Sequence, residues 1–180
     1  MSSASMSDPD AVVLVDGART AIGTFAGSLS RIPTHVLGAT VISEAIRRSG
    51  INAYDVDEVI LGCVGQVGPE AFNARLATLA AGLPVGTTAY NVNRLCGSGL
   101  QALWNGVTEI RPKGASVVVA GGNENMSAQP FFDYDARNGA RLGDHRLRDG
   151  TRSLGTDPWG NYPMGMTAEA VANKYHVSRN

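Results

Sequence analysis

The chain has 180 residues, of which 43% are hydrophobic and 17% charged, with 22 glycines and a formal net charge of −1. That is enough apolar material for one packed domain, or one and a part. The near-zero charge carries no electrostatic footprint for nucleic acid, and no apolar run approaches the roughly 20 residues needed to cross a bilayer.

Residues 1–10 are mostly small and polar and read as a flexible lead-in. They lack the apolar stretch of a secretory signal. Ala11–Val15 is short and apolar and predicts a strand; Asp16–Arg31 is a glycine-rich loop without helical period. Pro33-Thr34 opens a helix with Thr34 as its expected N-cap. Leu37, Val41 and Ala45 line one face beside Ile42 and Ile46, and Gly50 is the stop. Glu44 with Arg47 and Arg48 forms a solvated charge group. Asp55–Val64 is a second strand with its approach, Asn73–Ala81 a second helix closed by Gly82 and Pro84, and Thr88–Val92 a third strand.

The run Asn91-Val92-Asn93-Arg94-Leu95-Cys96-Gly97-Ser98-Gly99-Leu100-Gln101-Ala102 then reads as strand end, tight glycine turn and helix start. Leu100, Leu103, Trp104, Val107 and Ile110 continue one helical stripe, which Arg111, Pro112 and Gly114 end. Ala115–Ala120 is a buried strand closing on Gly121-Gly122. Strands alternating with helices predict an α/β fold, a layered, mainly parallel sheet with helices on both faces. Gln129–Tyr162 is long, polar and without period, and a helix resumes over Thr167–His176.

There are two cysteines, Cys63 and Cys96. Their number and spacing fit neither a disulfide framework nor a metal site, and a reduced, cytoplasmic setting is expected. Cys63 lies in an apolar strand and reads as a small buried hydrophobe. Cys96 stands where a helix begins, and thiols in such places are commonly thiolate-rich nucleophiles because unpartnered N–H groups and the helix dipole favour negative charge. Gly97 and Gly99 leave room for a substrate to approach. On turn chemistry alone, a structural thiol fits Cys96 equally well.

The run around Cys96 resembles the thiolase family. So do Val118-Val119-Ala120-Gly121-Gly122-Asn123-Glu124-Asn125-Met126-Ser127, Val15-Asp16-Gly17-Ala18-Arg19-Thr20-Ala21-Ile22-Gly23 and Met164-Gly165-Met166-Thr167-Ala168-Glu169, in the family's order. The resemblance implies that Cys96 is the nucleophile that takes an acyl group as a thioester, with its own backbone N–H as an oxyanion donor. It implies acyl-coenzyme A and coenzyme A as substrates, with no separate cofactor or metal. It implies a homodimer or tetramer, with the helix from Asn73 and the strand before Cys96 facing a second subunit. It also implies an α/β domain over residues 11–127 and, over 128–180, part of a loop domain that covers the site and holds coenzyme A, with Met164 against the substrate. Thiolases place a catalytic histidine and a second cysteine in a second half, which this sequence does not contain, so an N-terminal portion is expected.

Three departures stand out. Pro163 occupies a position where thiolases commonly carry histidine, and Asn123 and Asn125 replace common Met and Ser, predicting a more polar pocket wall. His35, His145 and His176 each read as surface residues, with nothing placing one beside Cys96. Arg137, Arg141, Arg146, Arg148 and Arg152 could meet phosphates, but Asp133, Asp135, Asp144 and Asp149 are interleaved with them, so a solvated loop is the simpler reading. Two other functions fit parts of the pattern. One is a non-catalytic association module. The other is a nicotinamide-dependent oxidoreductase, because Gly97-Ser98-Gly99-Leu100-Gln101-Ala102 satisfies G-x-G-x-x-A and Glu124 follows the next strand.

Overall fold

Val59, Ile60 and Leu61 are apolar on consecutive positions, a pattern that suits a strand covered on both faces. In the computed structural model, which describes residues 11–112, 114–139 and 142–179, they form the centre of the sheet. Residues 1–10, read as a lead-in, and Arg141 lie outside the described residues. Strands β1 (Glu58–Gly62), β2 (Thr88–Val92) and β3 (Val118–Gly122) pair in parallel in the order β2-β1-β3. Ile60 stands opposite Tyr90 on one side and Ala120 on the other.

Alternation along the strands sends successive side chains to opposite layers. Val59 and Leu61 pack with Ile42 of α1 (Thr34–Ser49) and with Ala74 and Ala77 of α2 (Asn73–Ala80). The other face is covered by α3 (Ser98–Ile110), where Gly106 lies so close to Val118 and Ala120 that a Cβ would come within 3.3 Å of the Val118 side chain. The expected mainly parallel sheet with helices on both faces is therefore present, and in this sheet every pairing is parallel.

Two local expectations fail. Residues 11–15 form no strand, although their composition suits one. They line one side of an apolar groove of about 650 Å³ whose other walls are β3, Val41, Ala45 and Ile46 of α1, and Leu103, Val107 and Ile110 of α3. The groove separates the segment from the free edge of β3, so no ladder forms and Leu14 remains 85% exposed. Thr34 is not the N-cap of α1. Pro33 holds that position without a side-chain bond, and Thr34 is the first helical residue, buried, with its carbonyl accepting from the Asn123 amide at 2.7 Å. Gly50 closes α1 in the left-handed conformation, as a C-cap glycine should.

The chain divides into two compact units, Met1–Ala128 and Gln129–Asn180. Within the second, the polar stretch holds an antiparallel ribbon of β4 (Phe131–Phe132) and β5 (Arg148–Asp149), and α4 (Gly150–Leu154). The Asp149 carboxylate caps α4 by accepting from the Arg152 N–H. α5 (Met164–Tyr175) starts three residues before the expected Thr167, because Pro163 suits the cap position, where no backbone N–H is needed.

Asp57 ties the N-terminal ends of all three parallel strands. Its carboxylate accepts from the N–H groups of Ser116 (2.7 Å) and Val117 (3.0 Å), its own N–H donates to the Val117 carbonyl, and its carbonyl accepts from the Thr88 N–H. These N–H groups, Ser116 first, hold its carboxyl below the ordinary carboxylate range. A depressed folded-state pKa contributes stability above the unfolded value of about 3.9, and the contribution is lost as pH falls through the folded value. Asp57→Ala is expected to lower the melting temperature by a few degrees at neutral pH, and the gap to wild type should close as the pH falls below about 4. Thermal denaturation across that range is the check, and a gap independent of pH would contradict the assignment.

Candidate active site

β2 delivers the chain at Val92, and α3 takes it away at Ser98. The five intervening residues form a tight elbow with Cys96, an exposed thiol, near its apex. The Gly97 N–H donates to the Arg94 carbonyl (3.1 Å) and the Ser98 N–H to the Leu95 carbonyl (3.0 Å). Leu95 lies in the left-handed region at φ 48°, which costs a non-glycine residue about 1–2 kcal/mol. No side chain caps α3. The thiol therefore stands at a helix start, where the backbone field favours negative charge.

The elbow is pressed against the sheet. A Cβ on Gly62, the last residue of β1, would lie 2.5 Å from the Ser98 carbonyl carbon and 2.7 Å from the Gly99 nitrogen. One on Gly122, at the end of β3, would come within 3.0 Å of the Gly62 carbonyl oxygen and 3.5 Å of the Gly99 Cα. Only glycine permits this approach. By contrast a Cβ on Gly99 meets nothing within 4 Å, and on Gly97 nothing closer than 3.4 Å. Packing within this chain does not require glycine at those two positions, which leaves the space beside Cys96 open. Sequence reasoning singled out Gly97 and Gly99 and missed Gly62 and Gly122; the available signal was a glycine at the C-terminal end of each of two apolar strands.

Polar side chains fill the same end of the sheet. Asn73, fully buried, and Asn123 exchange reciprocal amide hydrogen bonds of 2.8 Å, joining the start of α2 to the end of β3. Asn125 donates to the carbonyls of Ser30 (3.0 Å) and Ile32 (2.8 Å). The expectation that Asn123 and Asn125 make a polar pocket wall is thus replaced: both amides are engaged in anchoring backbone and a neighbouring helix. Asn91 bridges further, accepting from the Ala74 N–H and donating to the Ala71 carbonyl.

Glu124 accepts from the Val64 N–H at 2.7 Å and from the Gly65 N–H at 3.3 Å. Its carboxylate is held by the loop after β1, unlike the ribose-binding acid of a dinucleotide fold, and the fingerprint glycines follow an edge strand rather than the central β1. Cys63 is buried beside it. Burial first, then the charges of Glu124 and Glu70, push the Cys63 thiol up to about 12. The two cysteines are therefore chemically unlike, one exposed on an elbow and one buried and protonated.

His145 has a hydrogen-bond partner, whereas His35 Nδ1 has none among the described residues. His35 lies 3.7 Å from the Glu70 carboxylate, and His145 pairs with Asp133, which holds the Asp133 carboxyl below its ordinary range together with the Asp135 and Ala136 N–H groups. His176 is the left-handed C-cap of α5. In the second unit, Met164 opens α5, is 41% exposed and donates its N–H to the Gly155 carbonyl at 2.8 Å. Arg148 stacks over Tyr134 at 5.4 Å. Among the described residues no group of His, Cys, Asp and Glu is arranged to hold a metal ion.

The contrast between the thiols is directly testable. At about pH 8, iodoacetamide is expected to modify Cys96 in the native chain and leave Cys63 untouched, with both modified after denaturation. Peptide mass spectrometry reads the result. Equal native labelling of Cys63 would show that the burial described for this residue, just past the end of β1, is wrong.

The family model described as "Thiolase, N-terminal domain" matches residues 12–180. An acetyl-CoA acetyltransferase of Pseudomonas aeruginosa is 47% identical over 169 residues, covering 93% of this chain and 43% of the relative. A mouse protein named "Acetyl-CoA acetyltransferase, cytosolic" is 43% identical over 171 residues, covering 94% and 43%. The crystal structure of the Bacillus anthracis acetyl-CoA acetyltransferase superposes with a TM-score of 0.89 at 40% identity, over 93% of this chain and 42% of that one. The chain thus spans about 43% of the length of these curated relatives. With the family model matched almost end to end and the elbow, sheet and helices arranged as in a solved relative, this chain belongs to the thiolase family.

Proposed function

We propose that this chain carries the nucleophile of a thiolase-type acyltransferase, which moves acyl groups between a Cys96 thioester and coenzyme A. The observation that carries the reading is an exposed thiol on a tight elbow at an uncapped helix start, with open space at Gly99. The Cys96 thiolate attacks the thioester carbonyl of an acyl-coenzyme A, expelling sulfur, or the 3-keto carbonyl of a 3-ketoacyl-coenzyme A, expelling carbon. A tetrahedral oxyanion forms, with the Cys96 N–H as one donor to it. Collapse breaks the bond to the departing sulfur or carbon, which takes up a proton, and leaves the acyl group on Cys96. Thioester exchange requires no redox group or metal, so coenzyme A enters as substrate and no cofactor is assigned. Met164 is assigned to substrate contact on the family resemblance and its exposure at the start of α5.

The same reading assigns a homodimer or tetramer. β2 ends the sheet with its outer edge unpaired among the described residues, and Leu100 and Trp104 of α3 are exposed; exposed apolar surface of this kind favours association. A cytoplasmic setting is supported by the name of the mouse relative, and no described helix is long and apolar enough to cross a membrane.

A second reading, a non-catalytic association module, is favoured by one observation: His35 lies 3.7 Å from the Glu70 carboxylate, His145 pairs with Asp133 and His176 is the C-cap of α5. Acyl transfer needs a positioned acid–base group, which contributes about 10²–10⁴-fold. The 180-residue chain alone is therefore expected to cleave acetoacetyl-coenzyme A at well under about 1 s⁻¹, while acetyl-coenzyme A slowly acetylates Cys96, as read by peptide mass spectrometry. Acetylation that persists elsewhere but never at Cys96 would overturn the nucleophile assignment. Turnover above that rate would overturn the missing-base argument.

A further inference from the structure

Cys96 is exposed, so side-chain packing does not decide where it stands; the backbone of the elbow does. The residue before it, Leu95, adopts a left-handed conformation that a leucine keeps only when its surroundings hold it there. The holding groups are identifiable. The Leu95 N–H donates to the Asn93 side-chain oxygen at 3.0 Å. The Leu95 carbonyl accepts from the Ser98 hydroxyl at 2.6 Å and from the Ser98 N–H at 3.0 Å. The same hydroxyl accepts from the Arg94 N–H at 2.8 Å. One oxygen thus ties the 93–94 and 95–96 peptide groups, which bracket the Arg94-Leu95 step, while Asn93 holds the Leu95 N–H between them.

This is not ordinary helix capping. Gly97 is the N-cap of α3 and makes no side-chain bond, whereas Ser98 is already the first helical residue and reaches backward across the elbow. Ser98 is itself fixed. It is 4% exposed, and its backbone rests against Gly62 at a distance that excludes any side chain there. The order of restraint runs from β1 to Ser98, from the Ser98 hydroxyl to Leu95, and from Leu95 to Cys96.

We infer that Ser98 is a positioning residue for the nucleophile: its hydroxyl holds Leu95 left-handed and so keeps Cys96 within the field of the α3 N-terminus. The inference rests on the reading of Cys96 as nucleophile. Its test uses no acyl transfer, so the two fail separately. Loosening the elbow could raise or lower the accessibility of the thiol, and a single alkylation rate would not separate position from exposure. The ratio of two rates does. Iodoacetate and iodoacetamide are close in size and share a leaving group, but the first is an anion, which the positive end of the helix attracts.

In the 180-residue chain, Ser98→Ala is expected to lower the iodoacetate-to-iodoacetamide ratio at Cys96 by about two- to fivefold, the range expected of a helix-terminus interaction. Ser98→Thr, which keeps the hydroxyl, should retain the wild-type ratio. Circular dichroism and the protection of Cys63 should be unchanged in both. A folded Ser98→Ala variant with the wild-type ratio would overturn the inference, as would Ser98→Thr falling as far as Ser98→Ala. If Ser98→Ala does not fold, Leu95→Gly and Leu95→Val carry the test. Glycine enters the left-handed region freely and should keep the ratio, whereas β-branched valine resists it and should lower it. Equal ratios in these two folded variants would also overturn the inference.

Discussion

The contact between the end of β1 and the first turn of α3 sets the geometry of everything around Cys96. A parallel sheet ends in carbonyl-rich strand tips, and a helix starting directly above them must approach backbone to backbone. Gly62 makes this possible, since any side chain there would meet the main chain of Ser98 and Gly99 within 2.7 Å. Gly122 relieves the same crowding from β3, and its neighbour Asn123 donates its N–H to the Gly62 carbonyl at 3.0 Å. The turn between β2 and α3 must then close within five residues, and one of them accepts a left-handed backbone. The strain at Leu95 is the local counterpart of a close, well-packed helix start.

Around that contact the molecule surrounds the elbow with polar groups that are already partnered. The Asn73–Asn123 pair joins α2 to β3, Asn91 joins β2 to the start of α2, and Glu124 gathers the loop after β1. Buried amides and carboxylates satisfied in this way rigidify their surroundings, whereas unpaired ones would cost about 1–3 kcal/mol each. Their engagement also has a chemical consequence. The asparagine amides are not bases, the Glu124 carboxylate is held by the Val64 and Gly65 N–H groups, and Cys63 stays buried and protonated. Asp57 performs the mechanical part of this task at the opposite end of the sheet, where no chemistry is proposed.

Much of this was legible in the sequence because the signals were local. Apolar strand runs, helical periodicity and Gly or Pro stops located β1, β2, β3, α1, α2 and α3 to within a few residues, and the Cys96 motif marked the elbow. What was not legible depended on long-range partners. Residues 11–15 have strand composition, but a strand needs a neighbouring edge within hydrogen-bond reach, and the groove beside β3 denies it. Asn123 and Asn125 looked like pocket residues because their partners, Asn73 and the 29–32 loop, are distant in sequence. The part Ser98 plays in the elbow was not legible, since its backward hydrogen bonds appear only once the elbow is closed. Pro163 stood out only as a replacement for a common histidine, and its structural use as the cap of α5 follows from its fixed φ.

The most direct test of the central claim compares two glycine substitutions at the interface between the sheet and α3. Gly62→Ala places a methyl group against backbone at 2.5 Å, whereas Gly106→Ala meets side-chain carbons, the nearest a Val118 methyl at 3.3 Å. The measurement is the initial rate of Cys96 acetylation by acetyl-coenzyme A in each folded variant. If the β1–α3 contact positions the nucleophile, Gly62→Ala loses about tenfold or more, the scale of a misplaced reacting group, and Gly106→Ala stays near wild type. A folded Gly62→Ala variant acetylated at the wild-type rate would contradict the account.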